Sequence, residues 1–295
     1  MYAGVVVELI NKNIDKVFTY KIPSNLNVKI GERVLVPFGR MNLEGFVVEI
    51  NDNKPDYDIK EINSLIDDEP VLNEEMLELG KYICKKTLCT LSSSYQTMLP
   101  KALKAKNGSK VNIKYETYIA IDKDINLDGK RKEIYDLVKK NGKVLKRDLN
   151  NISTYITKDL IKSGILKETQ EEVNRLKDGK IKEYPKVILN EEQQKAVDII
   201  TNSKGFKPYL LHGVTGSGKT EVYMNIIDEV LKEKKEVIVL VPEISLTPQL
   251  TSIFKSRFKG NVAILHSRLS DGEKYDEWRK IRNKSVSIVV GARSA

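Results

Sequence analysis

Apolar and polar residues alternate in short runs through the first third of the chain. Residues 3–10, 17–22 (VFTYKI), 33–38 (RVLVPF) and 44–50 (EGFVVEI) carry this period of two and predict strands. Turn formers separate them at Pro23-Ser24-Asn25, at Gly31 and from Gly39 to Asn42. Short strands at this spacing predict a small barrel or curled sheet, with a further strand at 59–66. A helical period follows over 73–98, and Pro100 with the lysines after it marks a boundary near residue 105.

The pattern then changes twice. KRKEIYDLVKK (130–140) is amphipathic and stops at Asn141-Gly142. Residues 144–151 predict a short second helix, and 154–164 a third, capped by Ser153 or Thr154 and ended by Gly164. Residues 165–173 open a wing. Helix, short helix, helix, wing is the winged-helix order, which serves DNA grooves and protein docking alike. Later, strands at 208–212, 236–241, 262–265 and 286–290 alternate with helices at 219–234, 247–258 and 270–283. This predicts a parallel sheet covered on both faces, with any ligand at the carboxyl ends of its strands. The expected organisation is multidomain α/β and α+β: a β-barrel-like domain over 1–105, a winged-helix domain over 106–186 and an incomplete parallel α/β lobe over 187–295.

One motif carries chemistry. Gly213, Gly218, Lys219 and Thr220 form G-x-x-x-x-G-K-[ST] between an apolar run and a helical one. Glycines let backbone N–H groups curl around a triphosphate, and the helix N-terminus adds positive potential. Lys219 reaches the β- and γ-phosphates, while the Thr220 hydroxyl suits Mg²⁺. No apolar run ending in Asp-Glu follows residue 241, where such an ATPase holds its metal and orients water. A chain ending immediately after a core strand is expected to be a fragment.

The net charge of +9 is uneven. Residues 1–105 hold 13 Lys/Arg against 15 Asp/Glu, residues 106–186 hold 20 against 13, and residues 187–295 hold 17 against 13. The middle segment therefore faces a polyanion or is a solvated lysine-rich surface. No window approaches the roughly 18 apolar residues of a membrane span, and residues 4–10 read as a strand rather than a signal peptide. Cys84 and Cys89 cannot make a four-ligand zinc site by themselves and suit buried thiols in a reducing cytoplasm.

Four strings, GVTGSGKTEVY (213–223), VPEISLTPQ (241–249), LHSRLSDGEKYDEW (265–278) and GARSA (291–295), resemble motifs I, Ia, Ib and Ic of the PriA family of superfamily 2 helicases. VLVPFGR (34–40) resembles that family's 3′-DNA-binding domain. The resemblance implies an ATP-driven 3′→5′ DNA helicase with a RecA-like first lobe, recognising branched or stalled replication forks to start primosome assembly. It implies ATP with Mg²⁺ as cofactor, with zinc confined to a C-terminal module outside this sequence. Its implied partners are branched and single-stranded DNA, primosome proteins and single-stranded-DNA-binding protein, in the cytoplasm. By the same resemblance Gln193 reads adenine, and Gly213, Val214, Thr215, Gly216, Ser217, Gly218, Lys219, Thr220 and Glu221 surround the nucleotide. Pro242, Glu243, Thr247, Gln249, His266, Ser267 and Arg293 touch single-stranded DNA. Phe18, Thr19, Tyr20, Gly39 and Lys60 form a pocket for a 3′ end, with Thr19 where the family often has an acid. Phe18 and Tyr20 equally suit same-face packing within a strand. Trp278 reads as core rather than as a base-stacking residue. The alternative to a truncated helicase is a fork-binding scaffold with an inert partial ATPase lobe.

Overall fold

The computed structural model of the protein describes residues 1–8, 15–54, 56–104, 111–176, 184–242 and 248–292. Backbone contacts divide the chain into two units, Met1–Val111 with Lys182–Ala295, and Asn112–Ile181.

The first unit opens with an antiparallel sheet of β1 (Tyr2–Val7), β2 (Val17–Lys21), β3 (Arg33–Phe38), β4 (Met41–Asn51) and β5 (Ser64–Leu65), in the order β2-β1-β4-β3-β5. The two edges meet. Lys21 donates its amide to the Lys60 carbonyl at 3.0 Å, and Ile62 donates to Lys21 at 3.0 Å, so the segment before β5 also pairs with β2. Strand alternation sends Ala3, Val5, Val34, Val36 and Val47 into one core. The opposite face, with Val6 and Phe46, packs on α1 (Glu74–Thr87) and α2 (Leu91–Thr97) through Leu77 and Tyr95. Gly31 sits at φ +87°, and a Cβ there would lie 1.9 Å from the Leu72 carbonyl oxygen, so no side chain fits this turn. The helix expected over 73–98 is two helices. Leu88 takes φ 56°, and the Asp15 carboxylate accepts the Leu91 amide at 2.9 Å, restarting the chain as α2.

The same unit holds a three-stranded parallel sheet of β9 (Val237–Leu240), β10 (Val262–Leu265) and β11 (Ile288–Gly291), in the order β10-β11-β9. Helices α5 (Glu191–Thr201) and α6 (Lys219–Lys232) precede the strands, and α7 (Pro248–Phe258) and α8 (Asp271–Arg282) alternate with them. Met224 and Ile227 of α6, Phe254 and Phe258 of α7 and Ile288 and Val290 of β11 share a core. Helix α8 faces two ways. The buried Glu277 carboxylate accepts the Ile264 amide at 2.8 Å, while Tyr275 and Trp278 pack against the Phe46–Tyr95 cluster. Trp278 is thus partly buried core. The strand expected at 208–212 does not form: these residues make no ladder hydrogen bonds, and Leu210 is 91% exposed. A strand is stable only beside a partner for its N–H and C=O groups, and among the described residues none runs alongside. The edge strand β9 likewise leaves Ile238 and Leu240 exposed.

The second unit is a three-stranded antiparallel sheet, ordered β7-β6-β8, of β6 (Tyr115–Ile121), β7 (Lys143–Leu145) and β8 (Leu166–Glu172), with α3 (Gly129–Asn141) and α4 (Lys146–Lys162). Ile134, Val138, Leu149 and Leu160 bury against Ile119 and Leu166. Strand β6 was not anticipated. The two helices expected at 144–151 and 154–164 are joined as α4, kinked at Ser153 (φ −163°, ψ 108°), whose hydroxyl accepts the Ile156 amide at 3.3 Å and starts the second half.

Candidate functional site

Two constellations stand apart on the first unit. Residues Phe18, Thr19, Tyr20, Gly39 and Lys60 all line one open pocket of about 320 Å³ between β2, the β3–β4 turn and the segment before β5. Phe18 and Tyr20 point the same way because they are two apart on β2. Tyr20 is buried in the core, and its hydroxyl donates to the Pro37 carbonyl at 3.3 Å. Burial pushes its phenol pKa up. Phe18 is only partly buried and meets Phe38 edge to face, with centroids 5.1 Å apart. Lys60 donates to the Gly39 carbonyl at 3.3 Å, holding an ammonium at the turn. The pocket thus offers an aromatic edge, a bare turn and a cation. Sequence reading missed Lys16, which lies 5.3 Å over the Phe18 ring, and Phe38. Phe38 was visible as the aromatic beside Gly39, but its partner was set by pairing across the sheet.

The second constellation surrounds the glycine loop. Gly216 (φ +82°) and Gly218 (φ +77°) take left-handed conformations that favour glycine, and Gly218 caps α6. Val214, Thr215, Gly216 and Ser217 are exposed, while Thr220 and Glu221 lie in the first turn of α6. The Lys219 ammonium folds back onto the loop, donating to the carbonyls of Gly213 at 2.6 Å and Val214 at 2.8 Å. Those carbonyls are weak partners that a phosphate oxygen readily outcompetes. Gln193 joins this site: its Nε2 donates to the Ser217 carbonyl at 3.0 Å and its Oε1 accepts the Asn190 amide at 3.0 Å. With the Asn190 side chain accepting the Gln193 amide at 2.8 Å, this is a capping box at the start of α5. The spacing Asn-x-x-Gln signalled that box, which the sequence reading passed over. The residues present fit a nucleoside triphosphate: a loop of accessible amides, a helix N-terminus and a lysine within reach.

Of the remaining predicted residues, the described ones lie where the parallel strands end. Pro242 follows β9 and is exposed, Gln249 is exposed in the first turn of α7, and His266 and Ser267 follow β10. The Ser267 carbonyl accepts Lys274 Nζ at 3.2 Å. Ser270 caps α8, and its hydroxyl, followed by its amide, holds the Glu273 carboxyl below the usual range. Glu243, Thr247 and Arg293 lie outside the described residues. Among the described residues no three His, Cys, Asp or Glu side chains form a group able to hold a metal ion, and no helix is long and apolar enough to cross a membrane. Cys84 donates its thiol to the Cys89 carbonyl at 3.0 Å.

Comparison with known proteins finds family models matching both ends of the chain. The family model for the 3′ DNA-binding domain of PriA matches residues 5–100, and the model for the type III restriction enzyme res subunit matches residues 186–295. Replication restart protein PriA of Bacillus subtilis is 36% identical over 375 aligned residues, spanning all of this chain and 47% of that relative. The chain belongs to the PriA family. The family protein of Haemophilus influenzae is 30% identical over 96% of this chain and 40% of its own length, and that of Synechocystis is 51% identical over 107 residues, 36% of this chain. The chain spans about half the length, or less, of these PriA relatives.

Proposed function

We propose that this chain supplies the fork-reading and ATP-binding parts of an ATP-dependent 3′→5′ DNA helicase that restarts replication at branched forks. The observation that carries the reading is the occurrence, on one chain, of a five-residue pocket at Phe18, Thr19, Tyr20, Gly39 and Lys60 and a glycine loop opening α6 at Lys219. Residues 1–105 act as a small barrel that takes a 3′ terminal nucleotide, a reading supported by the edge-joining bonds of Lys21 with Lys60 and Ile62. Phe18 stacks on the terminal base and Lys60 meets a phosphate. Thr19 offers the 3′-hydroxyl a hydrogen bond without charge. Residues 106–186 act as a winged-helix domain, and residues 187–295 as part of a RecA-like lobe.

In that lobe the amides around Gly216 and Gly218, with Lys219, hold the ATP phosphates, and the Thr220 hydroxyl ligates Mg²⁺. Bound ATP and Mg²⁺ supply the phosphoryl chemistry; Gln193, which ties the loop to α5, reads adenine by exchanging its bonds to Ser217 and Asn190 for the base edge. Pro242, Glu243, Thr247, Gln249, His266, Ser267 and Arg293 follow the strand ends and track the backbone of single-stranded DNA, giving structure-selective and salt-sensitive contacts. The protein works in the cytoplasm with primosome proteins and single-stranded-DNA-binding protein.

The test is fluorescence anisotropy with forks whose 3′ end at the branch is free or blocked. The free end binds tighter; equal affinity removes the pocket's role. A second reading is a fork-binding scaffold with an inert lobe; it predicts negligible DNA-stimulated ATP hydrolysis by these 295 residues, and robust turnover rejects it.

A further inference from the structure

The joint between α1 and α2 brings together the two cysteines of the chain. Cys84 stands in the last turn of α1. Cys89 follows left-handed Leu88 and precedes Thr90, whose side chain caps α2. Both are partly exposed rather than buried. The Cys84 thiol already donates to the Cys89 carbonyl at 3.0 Å. A carbonyl oxygen lies two bonds from its own Cα, so the Cys84 sulfur stands within a few ångström of the root of the Cys89 side chain. A disulfide here closes a ring over Lys85, Lys86, Thr87 and Leu88, all exposed, so the ring tightens without disturbing the core.

The same joint is tied to the pocket strand. The Asp15 carboxylate accepts the amide of Leu91, two residues beyond Cys89, at 2.9 Å. Asp15 leads directly into Lys16, Val17 and Phe18, which line the pocket where β2 begins. Burial, followed by the nearby Asp15 charge, pushes the Cys84 thiol pKa up. Thiolate is the reactive form, so the pair answers sustained rather than passing oxidation.

We propose that Cys84 and Cys89 form a reversible disulfide under hydrogen peroxide, and that this bond weakens the pocket's hold on a 3′ end through Asp15, the latter resting on the reading of that pocket as a 3′-end site. One thiolate attacks peroxide and takes one oxygen as a sulfenic acid, while the other oxygen leaves as water. The second sulfur attacks the sulfenic sulfur, and the hydroxyl leaves as water with the second thiol proton. The two thiols together lose two electrons and two protons; peroxide gains both and becomes two waters. Exchange with a reducing dithiol reverses the bond. Oxidation removes the proton that Cys84 gives to the Cys89 carbonyl and pulls Cys89 towards α1. The Leu91 amide is thereby drawn off Asp15, and the start of β2 loosens beneath Phe18.

The experiment treats the reduced whole chain with hydrogen peroxide and follows thiol titration, intact mass, thermal unfolding and anisotropy on forks with a free or blocked 3′ end. Free thiols fall from two to none, the mass drops by two hydrogens, and no disulfide-linked dimer forms. The midpoint of unfolding rises by roughly 2–4 °C, because the cross-link restricts the unfolded chain. The preference for a free 3′ end falls about threefold, and dithiothreitol restores it. Cys84→Ser with Cys89→Ser abolishes every response. Asp15→Ala leaves disulfide formation intact and abolishes the change in 3′-end preference. Sulfinic or sulfonic acid in place of the disulfide, or a disulfide with unchanged 3′-end preference, overturns the proposal. Failure of the pocket reading looks different: the reduced chain shows no preference for a free 3′ end, while the disulfide and the shift in unfolding midpoint persist.

Discussion

The two sheets of the first unit reach stability by opposite routes. The antiparallel sheet joins its edges through Lys21, Lys60 and Ile62 and buries one face on its own valines and the other on α1 and α2. Among the described residues the parallel sheet has three strands, an open edge at β9 and apolar side chains in water: Ile238 is 70% exposed and Leu240 63%. Leu210 and Phe206, on the approach to the glycine loop, are exposed further still. Parallel sheets ordinarily have both faces and their edges covered, so the region carrying the loop draws less stability from its own packing. The pocket lined by Phe18 and Lys60 lies where the sheet's edges join, whereas the glycine loop sits in a region held chiefly by the α6, α7 and β11 core.

The sharpest break in that contrast is a core deletion. Phe46→Ala removes a fully buried ring that meets Tyr95 edge to face at 5.8 Å, and it should lower stability in urea by roughly 3–5 kcal/mol. A loss below about 1 kcal/mol would mean that the closed sheet is no better packed than the open one. Next in size, Lys219→Ala removes the charged donor to a phosphate, roughly 2–3 kcal/mol or some 30- to 160-fold in ATP affinity. Titration with a fluorescent ATP analogue reads this, and binding of a 3′-ended fork should not change. Joint loss of both would show that the two regions do not act independently.

Tyr95 gives the closed region a pH signature. Its buried hydroxyl has no hydrogen-bond partner among the described residues, and burial pushes its pKa up to about 12. The unfolded phenol titrates near 10. The stabilisation is therefore complete below about pH 10 and is lost as pH rises towards 12, because the unfolded state releases its proton first. Tyr95→Phe should flatten this alkaline decline and change neutral stability by no more than about 1 kcal/mol, in either direction. An unaltered pH profile would place the alkaline loss elsewhere. The smallest effect belongs to the open edge. Ile238→Ser with Leu240→Ser should alter stability by less than about 0.5 kcal/mol per site, yet cut binding of a hydrophobic dye. A large stability loss would show that these side chains are covered in solution.

The helices and strands that bury one face were legible from periodicity, as β1 to β4, α3 and α6 illustrate. What escaped had a nonlocal cause. The break between α1 and α2, at left-handed Leu88 and the local cap Thr90, is joined by Asp15, 76 positions before the Leu91 amide it accepts. Strand β6 is a central strand whose place is set by β7 and β8 on either side. Residues 208–212 have strand-like composition but no partner, and composition does not report partners. Around the loop, the motif named Lys219 and Thr220, yet the tie from Gln193 to the Ser217 carbonyl spans 24 positions and required the fold.

Sequence by itself determined the glycine loop, the alternation of strands and helices after it, the aromatic pair on β2 and the surplus of basic residues in the middle segment. Each is a matter of residue type at short range, where spacing alone places side chains on one face. Tertiary structure alone decided that Phe18, Gly39 and Lys60 share a pocket and that Tyr20 is core. Those outcomes depend on which distant segments hydrogen-bond and pack together, and the free energy of such pairings is distributed over many residues rather than written at any one position.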